Sequence, residues 1–437
     1  MTTTQAVFTI CARNYYGLAQ ILKQSVLRNN PHVEFLVFVA DGIPESERHK
    51  FQDDAIDATV VVGAMVGERK FREMAFKYNL TEFCTAIKPF CFQHVFESLG
   101  RERAIYLDPD ILVFSPLDEI LSILESRSVV LTPHIIFASS HEGKRPDTGL
   151  LATGLFNLGF LGVANTPVGQ ELLDWWGSRL LDQCFVDSHD ALFTDQKWMD
   201  FVPSLFPSEA VCYLRSMGTN LAPWNFHERR IVEAGGSFGV VRRMEDTSAA
   251  RELQCDRLVF VHFSGFDYRK LTSGQVAQYN IEGLDLYDDL APVIARYIND
   301  IQSLKNVVLQ FLGMPYAFAT FANGKPILAF HRRLYRAALN AGMELDNPFS
   351  VAPGSFFERL AKASLVLPNS DQTSFEKSNK NNLSDVGRKL SRFSVLMRMI
   401  KRVIGFKNYA LLLRLMRPYS RAESQLHLLD RRYDQIL

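Results

Sequence analysis

The 437-residue chain carries six cysteines, Cys11, Cys84, Cys91, Cys184, Cys212 and Cys255, and no two form a CxxC pair. Their spacing argues against a structural zinc site, and their mostly apolar or aromatic surroundings fit reduced, buried thiols of a cytosolic protein. No run of about 18 apolar residues is free of charge, so a membrane-spanning helix is not expected. The start, "MTTTQAVFTICARNYY", has no basic segment leading into a long apolar stretch, which argues against a secretory leader. Net charge is missing as well, with 48 lysines and arginines against 48 aspartates and glutamates. Nothing in that balance points to nucleic acid, and any electrostatic argument must be local. No internal repeat is present.

What the chain does have is length for about two or three folding units and a clear alternation of strand-like and helix-like runs. "AVFTICA" (6–12) and "EFLVFVAD" (34–41) are β-rich and flank a stretch in which Leu18, Ile21, Leu22, Ser25 and Val26 recur at helical spacing, a βαβ unit. A helix-like stretch at 84–99 leads into "AIYLDPDILVF", and further strand-like runs follow at "SVVLTP", "LFNLGFLGV" and "RLVFVHFSG". Helical segments are expected near 168–182 and 193–202. Residues 1–275 therefore read as one α/β domain, and 285–365, helical in period and without strand alternation, as a small helical subdomain. Residues 367–385, "LPNSDQTSFEKSNKNNLSD", have too little apolar material to fold and read as a linker.

The region after it, 386–437, changes character. Over 385–421 ten lysines and arginines face a single acid, Asp385. Leu390, Phe393, Met397, Ile400 and Ile404 share one helical face, while Arg388, Arg392 and Arg402 lie toward the other. This is the pattern of a basic amphipathic helix lying in an anionic membrane surface, and 386–421 is the expected contact. Packing of the same helix on the protein or on a partner is the competing reading. The expected location is cytoplasmic, with peripheral attachment at the inner face of the plasma membrane.

In "RAIYLDPDILVFSPLDEI" (103–120), Asp108 and Asp110 interrupt what otherwise reads as a buried strand. One residue apart in extended backbone, they project to the same side and can share a hard divalent cation, which relieves their repulsion and desolvation. The bland reading is a turn cap and a solvated carboxylate. A nucleotide diphosphate is the ligand that would join a dication to the crevice of the preceding βαβ unit.

Five segments in order resemble the GT-A glycosyltransferases, most closely glycosyltransferase family 8, the glycogenin-like and bacterial galactosyltransferase-like enzymes, over roughly 6–270. "ARNYYGLAQILKQSVLRNNPHVEFLVFVADGIPESER" resembles the family's opening, "YLDPDILVFSPLDEI" its metal-binding DxD segment and "GLFNLGFLGV" its sugar-contacting strand. "FTDQKWM" resembles its Asp-Gln segment and "VFVHFSG" its late histidine segment. The resemblance implies a GT-A, Rossmann-like nucleotide-diphospho-sugar transferase domain followed by the helical subdomain and basic tail. It implies a hexosyltransferase-like enzyme that moves a sugar from a nucleotide-sugar donor to a glycan or lipid-linked acceptor with retention, as in cell-surface polysaccharide synthesis. Mn2+ (or Mg2+) would be held by Asp108, Asp110 and His262. Asn14 and Tyr15 would meet base and ribose, Asn157 the sugar, and Asp195 and Gln196 the reacting centre. Lys88, at the start of a probable helix, is a candidate for the diphosphate, and Lys270 or Arg269 for the β-phosphate at a slightly shifted spacing. Where the family commonly has an acid that recognises uracil, this chain has Ala12, which leaves the base open.

Each of these residues also has a purely structural reading: His262 as a core histidine, Asp195 as a helix cap with Thr194, Lys88 as a solvated lysine. Trp224, Asn225, His227 and Glu228 form a polar-aromatic cluster that would suit an acceptor or an aromatic core loop, and Trp175 and Trp176 suit packing. Two other functions compete: a catalytically degenerate glycan-binding protein, and a phosphatase-type hydrolase with the first Asp of the DxD as nucleophile.

Overall fold

The computed structural model describes residues 4–138, 147–243, 254–281, 283–367, 386–430 and 432. The expected linker, 367–385, lies outside these but for Leu367. In chain order the strands are β1 (Gln5–Cys11), β2 (Glu34–Val39), β3 (Ala55–Asp57), β4 (Arg103–Leu107) and β5 (Ile111–Val113). β6 (Val129–Leu131), β7 (Phe160–Ala164), β8 (Val186–Asp187), β9 (Leu192–Phe193) and β10 (Val211–Tyr213) follow. β11 (Arg229–Ala234), β12 (Ser237–Arg242), β13 (Asp256–Arg257) and β14 (Phe260–His262) complete the set.

Seven strands form the main sheet in the order β10-β6-β7-β4-β1-β2-β3. β7 runs antiparallel to both β4 and β6, and the other pairings are parallel. The fold class is α/β, with a mostly parallel central sheet and a helical C-terminal region, as the sequence indicates. β1 and β2 are almost wholly buried, as expected of strands covered by helices on both faces. The helix Tyr16–Asn29 connects them and buries Leu18, Ile21, Leu22 and Val26, the residues whose spacing signalled it.

By internal packing the chain divides into two compact units, Met1–Phe71 with Leu80–Tyr316, and Arg72–Asn79 with Ala317–Leu437. The expected helical subdomain at 285–365 is accordingly divided between them. Its helices Ala291–Ser303 and Lys305–Leu312 belong to the first unit, because Gly17 lets Val308 approach so closely that a Cβ there would lie 2.6 Å from Val308 Cα. Tyr297 adds a stacked contact on Phe263 with centroids 4.0 Å apart.

The second unit has its own core, formed by Phe76, Phe321, Leu334, Tyr335, Phe356, Leu360 and Leu426. Buried Arg332 donates to the carbonyls of Ala75, Phe76, Tyr78 and Phe318. The region 386–437, read from sequence as a separate tail, is anchored at its far end, where Leu426 is 3 % exposed within that core and Glu423 pairs with Arg336 at 3.2 Å. Between lies the helix Val386–Tyr419, interrupted at Gly405, whose φ of 74° ends the first regular stretch. No helix among the described residues is long and apolar enough to cross a membrane. All six cysteines are free; Cys11, Cys91 and Cys184 are buried, whereas Cys255 is exposed, against the expectation of buried thiols throughout.

Candidate active site

β4 stops at Leu107 because Pro109 has no N–H for a ladder and the chain turns, the Ile111 N–H donating to Asp108 O at 3.1 Å. The extended backbone expected across Asp108-Pro109-Asp110 is thus a turn at the C-terminal end of β4. The convergence of the two carboxylates comes from elsewhere. β14 pairs antiparallel with β5, placing His262 opposite Ile111, and the Phe263 N–H donates to Asp110 O at 2.9 Å. His262 Nε2 is then 3.0 Å from Asp110 Oδ1 and 3.7 Å from Asp108 Oδ2. One ligand atom from each of Asp108, Asp110 and His262 lies within 4.8 Å of the others. Two carboxylate oxygens and an imidazole nitrogen suit Mn2+ better than Mg2+, which prefers oxygen alone, so the donor set fits the first of the expected cations. Burial opposes the charged imidazole, but attraction by Asp110 and Asp108 outweighs it and raises the His262 pKa above its ordinary value.

The cluster opens on a cavity of about 450 Å³. Tyr15, Asp108, Asp110, Asn157, Asp195, Gln196 and His262 all line it, so seven of the ten candidate residues meet at one place. Ala12, Cys84, His134, Thr153, Trp224, Ser264 and Asn280 contribute further wall. Asn14 is half-buried outside this lining, and its Oδ1 is buried without a hydrogen-bond partner among the described residues. Tyr15 packs edge-on against Tyr268, with centroids 4.8 Å apart. Next to Ala12, Arg13 engages Asp41 through its backbone N–H at 2.8 Å and its Nε at 3.3 Å.

Lys88 is the first residue of the helix Lys88–Gln93, as expected, but it is neither solvated nor on the cavity surface. Its ammonium is 2.9 Å from Asp195 Oδ2, 3.8 Å from Asp108 Oδ1 and 2.7 Å from Leu158 O, and it lies over the Tyr106 ring at 4.3 Å. Burial disfavours the charge, yet Asp195 and then Asp108 more than compensate, and the Lys88 pKa is raised. Asp195 is raised too, by burial first, with Lys88 pulling the other way. Asp108 also accepts a short hydrogen bond from Tyr106 OH. Lys88 is therefore an internal counterion for two cavity carboxylates.

Lys270 is exposed, lies outside the cavity lining, and its ammonium is 5.9 Å from the Tyr279 ring centroid. Arg269 points to Leu312 O at 3.3 Å. Gln196 donates through Nε2 to Thr153 O at 2.8 Å, leaving Oε1 as its cavity group. Trp176 does more than pack, since its indole N–H donates to Asp195 O at 3.1 Å. Of the aromatic loop, Trp224 lines the cavity and stands edge-on to His262 at 5.2 Å, with its own Nε1 buried and without a partner among the described residues. Asn225 and Glu228 are structural: Glu228 accepts from the N–H groups of Ile136 and Phe137 and pairs with buried Arg229 at 3.0 Å.

Gly159 was not evident from sequence as a site residue. A Cβ there would lie 2.4 Å from His262 Cε1 and 2.6 Å from Nδ1, so the bare Cα is the floor on which the imidazole rests. The single glycine in "FNLGF" was the available signal, but nothing in the chain's linear order ties it to a histidine so distant.

No family model matches the chain. It is 29 % identical over 199 residues to the uncharacterised protein YfnF of Bacillus subtilis (strain 168), covering 45 % of this chain and 60 % of that protein. The uncharacterised protein YfnD of the same organism is 26 % identical over 246 residues, covering 56 % of this chain and 70 % of that protein. Among solved structures, the galactosyltransferase LgtC in complex with donor and acceptor sugar analogues is similar with a TM-score of 0.38 and 16 % identity, over 71 % of this chain and 97 % of that one. The apo glycosyltransferase GlyE of Streptococcus pneumoniae TIGR4 has a TM-score of 0.30 and 15 % identity, over 49 % and 47 %. At these scores the functional reading rests on the site itself.

Proposed function

We propose that the chain is a metal-dependent, GT-A-type glycosyltransferase that moves a sugar from a nucleotide-diphosphate sugar to a glycan or lipid-linked acceptor, with retention of anomeric configuration. The observation that carries this is the meeting of Asp108, Asp110 and His262 with Asn157, Asp195 and Gln196 around one cavity at the C-terminal end of β4. That is where ligands bind in open α/β sheets.

Asp108, Asp110 and His262 would hold Mn2+ or Mg2+, which when bound supplies positive charge against the leaving diphosphate. The chain's own groups do the rest. Gln196 turns the negative end of its amide dipole to the cavity, suited to an oxocarbenium-like centre. Asp195, fixed by Lys88 and Trp176, is placed to hold a sugar hydroxyl. Tyr15 and Asn14 serve the nucleoside, and with Ala12 in place of an acid the base is read without a carboxylate at that position. A thermal-shift panel of nucleotide sugars with and without Mn2+ tests the reading, since a ligand that binds only the folded state raises its apparent stability. Mn2+-dependent stabilisation that disappears in Asp110→Ala is expected; no response to any nucleotide sugar would overturn it. A degenerate glycan-binding protein would bind without turnover, and Mn2+-dependent donor hydrolysis distinguishes the two.

The helix Val386–Tyr419 is assigned to an anionic membrane surface, which would place the enzyme at the inner face of the plasma membrane near a lipid-linked acceptor. Of the expected apolar face Leu390 and Phe393 are exposed, Ile400 and Ile404 are half-buried and Met397 is buried, while Leu396, Met399, Val403 and Phe406 are also exposed, on a segment without a single acid. Flotation with phosphatidylglycerol vesicles should capture the full chain and not one ending at residue 384; equal capture removes the assignment.

A further inference from the structure

Three asparagines, Asn157 in the cavity wall and Asn220 and Asn225 behind it, are joined in series, and backbone groups dictate which way each amide faces. Asn225 accepts through Oδ1 from the Ala222 N–H at 2.9 Å. Its amino group must therefore donate, and does so to His134 O at 3.2 Å and Asn220 O at 3.0 Å. Asn157 accepts through Oδ1 from the Gly159 N–H at 3.1 Å. The end of Asn220 turned to that same oxygen must then be its amino group, which reaches Asn157 Oδ1 at 3.1 Å and Thr132 Oγ1 at 2.8 Å. Because a backbone N–H only donates and a backbone carbonyl only accepts, these polarities follow from the network itself.

Asn220 holds this post at a cost. Its φ is 54°, in the left-handed region, and its own Oδ1 is buried with no partner among the described residues. Strain and an unsatisfied polar atom on one residue gather at functional sites more than elsewhere.

We propose that Asn220 is a positioning residue that locks Asn157 with its amino group toward the cavity, so that the site offers a hydrogen-bond donor to a hydroxyl oxygen of the transferred sugar. This rests on the nucleotide-sugar reading above. Asn157 lines the cavity and its Nδ2 has no protein partner among the described residues. Gln196 is held in the opposite sense, one N–H of its amino group donating to Thr153 O. Two amides of fixed and opposite sense match a hydroxyl, which can accept from one and donate to the other; an ether oxygen could use only Asn157.

With asparagine side chains 15N-labelled, the Asn157 amino protons should exchange with solvent while those of Asn220 and Asn225 stay protected. The reverse pattern overturns the proposal without any ligand. In Asn220→Asp the inner partner can no longer donate and turns a repelling carboxylate oxygen on Asn157 Oδ1, leaving only the Gly159 N–H to favour the original sense. The affinity of UDP-glucose, UDP-galactose or GDP-mannose relative to UDP or GDP, measured with Mn2+, should then fall about tenfold, one hydrogen bond's worth. Asn220→Gly, which keeps the left-handed backbone and leaves Asn157 held by Gly159 alone, should lie between. A wild type that binds no nucleotide sugar sinks the functional reading. A wild type that binds them, with a ratio unchanged in both variants, sinks the positioning role alone. Should Asn220→Asp fail to fold, the exchange pattern and the glycine variant decide.

Discussion

Gly159→Ala is the most demanding test of the site's construction. The added methyl would sit 2.4 Å from His262 Cε1, 2.6 Å from Nδ1 and 2.8 Å from Asn157 Oδ1, about 1 Å inside ordinary contact for each. Neither side yields easily. Gly159 is tied through its carbonyl to the Asp108 N–H at 2.8 Å and through its N–H to Asn157 at 3.1 Å, while His262 is fixed by the β14–β5 pairing and backed by Trp224. Gly159 is not at a positive φ, so the effect is steric rather than conformational. Overpacking of this kind costs about 1–3 kcal/mol in stability. A ligand displaced by about 1 Å exceeds the roughly 0.2 Å tolerance of metal–ligand distances, and loss of such support weakens metal affinity about 10–100-fold. Isothermal titration with Mn2+ in the presence of nucleotide and urea unfolding measure the two effects. Wild-type metal affinity in the variant would refute the argument that Gly159 is the floor of the histidine.

Lys88→Met should destabilise the first unit by about 3–5 kcal/mol in urea unfolding, because Asp195 would be left charged and buried, each side chain of the pair being 2 % exposed; Lys88→Met with Asp195→Leu should recover part of it. Leu426→Ala should cost about 2–5 kcal/mol in the unfolding of the second unit, whereas the same change at exposed Leu428 should be near neutral. Phe393→Ser with Val403→Ser, at positions 50 % and 85 % exposed, should lower vesicle capture without moving the melting temperature.

The α/β frame was legible because β1, β2 and the helix between them carry period-2 and period-3.6 patterns that burial then enforces. The meeting of Asp108, Asp110 and His262 was legible through residue type and order, although the geometry expected for Asp108 and Asp110 was not, since Pro109 makes a turn where alternation suggested a strand. The burial of Lys88 was not legible, because linear sequence cannot show Asp195 beside it as counterion. The exposure of Lys270 was not legible, because a basic residue eight positions past a histidine says nothing about which way the loop carries it. The helices at 291–312 were recognised as helices, but periodicity does not reveal a neighbour, and the decisive fact was the absence of a side chain at Gly17. The asparagine series was illegible for the same reason: Asn157 and Asn225 stand out singly in the sequence, but nothing in linear order joins them or brings in Asn220.

Because Arg72–Asn79 belongs to the second unit yet is flanked on both sides by the first, no single scission can part them. A fragment ending at Tyr316 would keep Phe76 and lose Phe321, Tyr335 and Phe356, the rings that enclose it. Such a fragment should be poorly soluble by itself and be rescued by co-expression with 317–437. During synthesis the same wiring obliges an aromatic residue made early to wait for the last quarter of the polypeptide, a window in which chaperone dependence is to be expected.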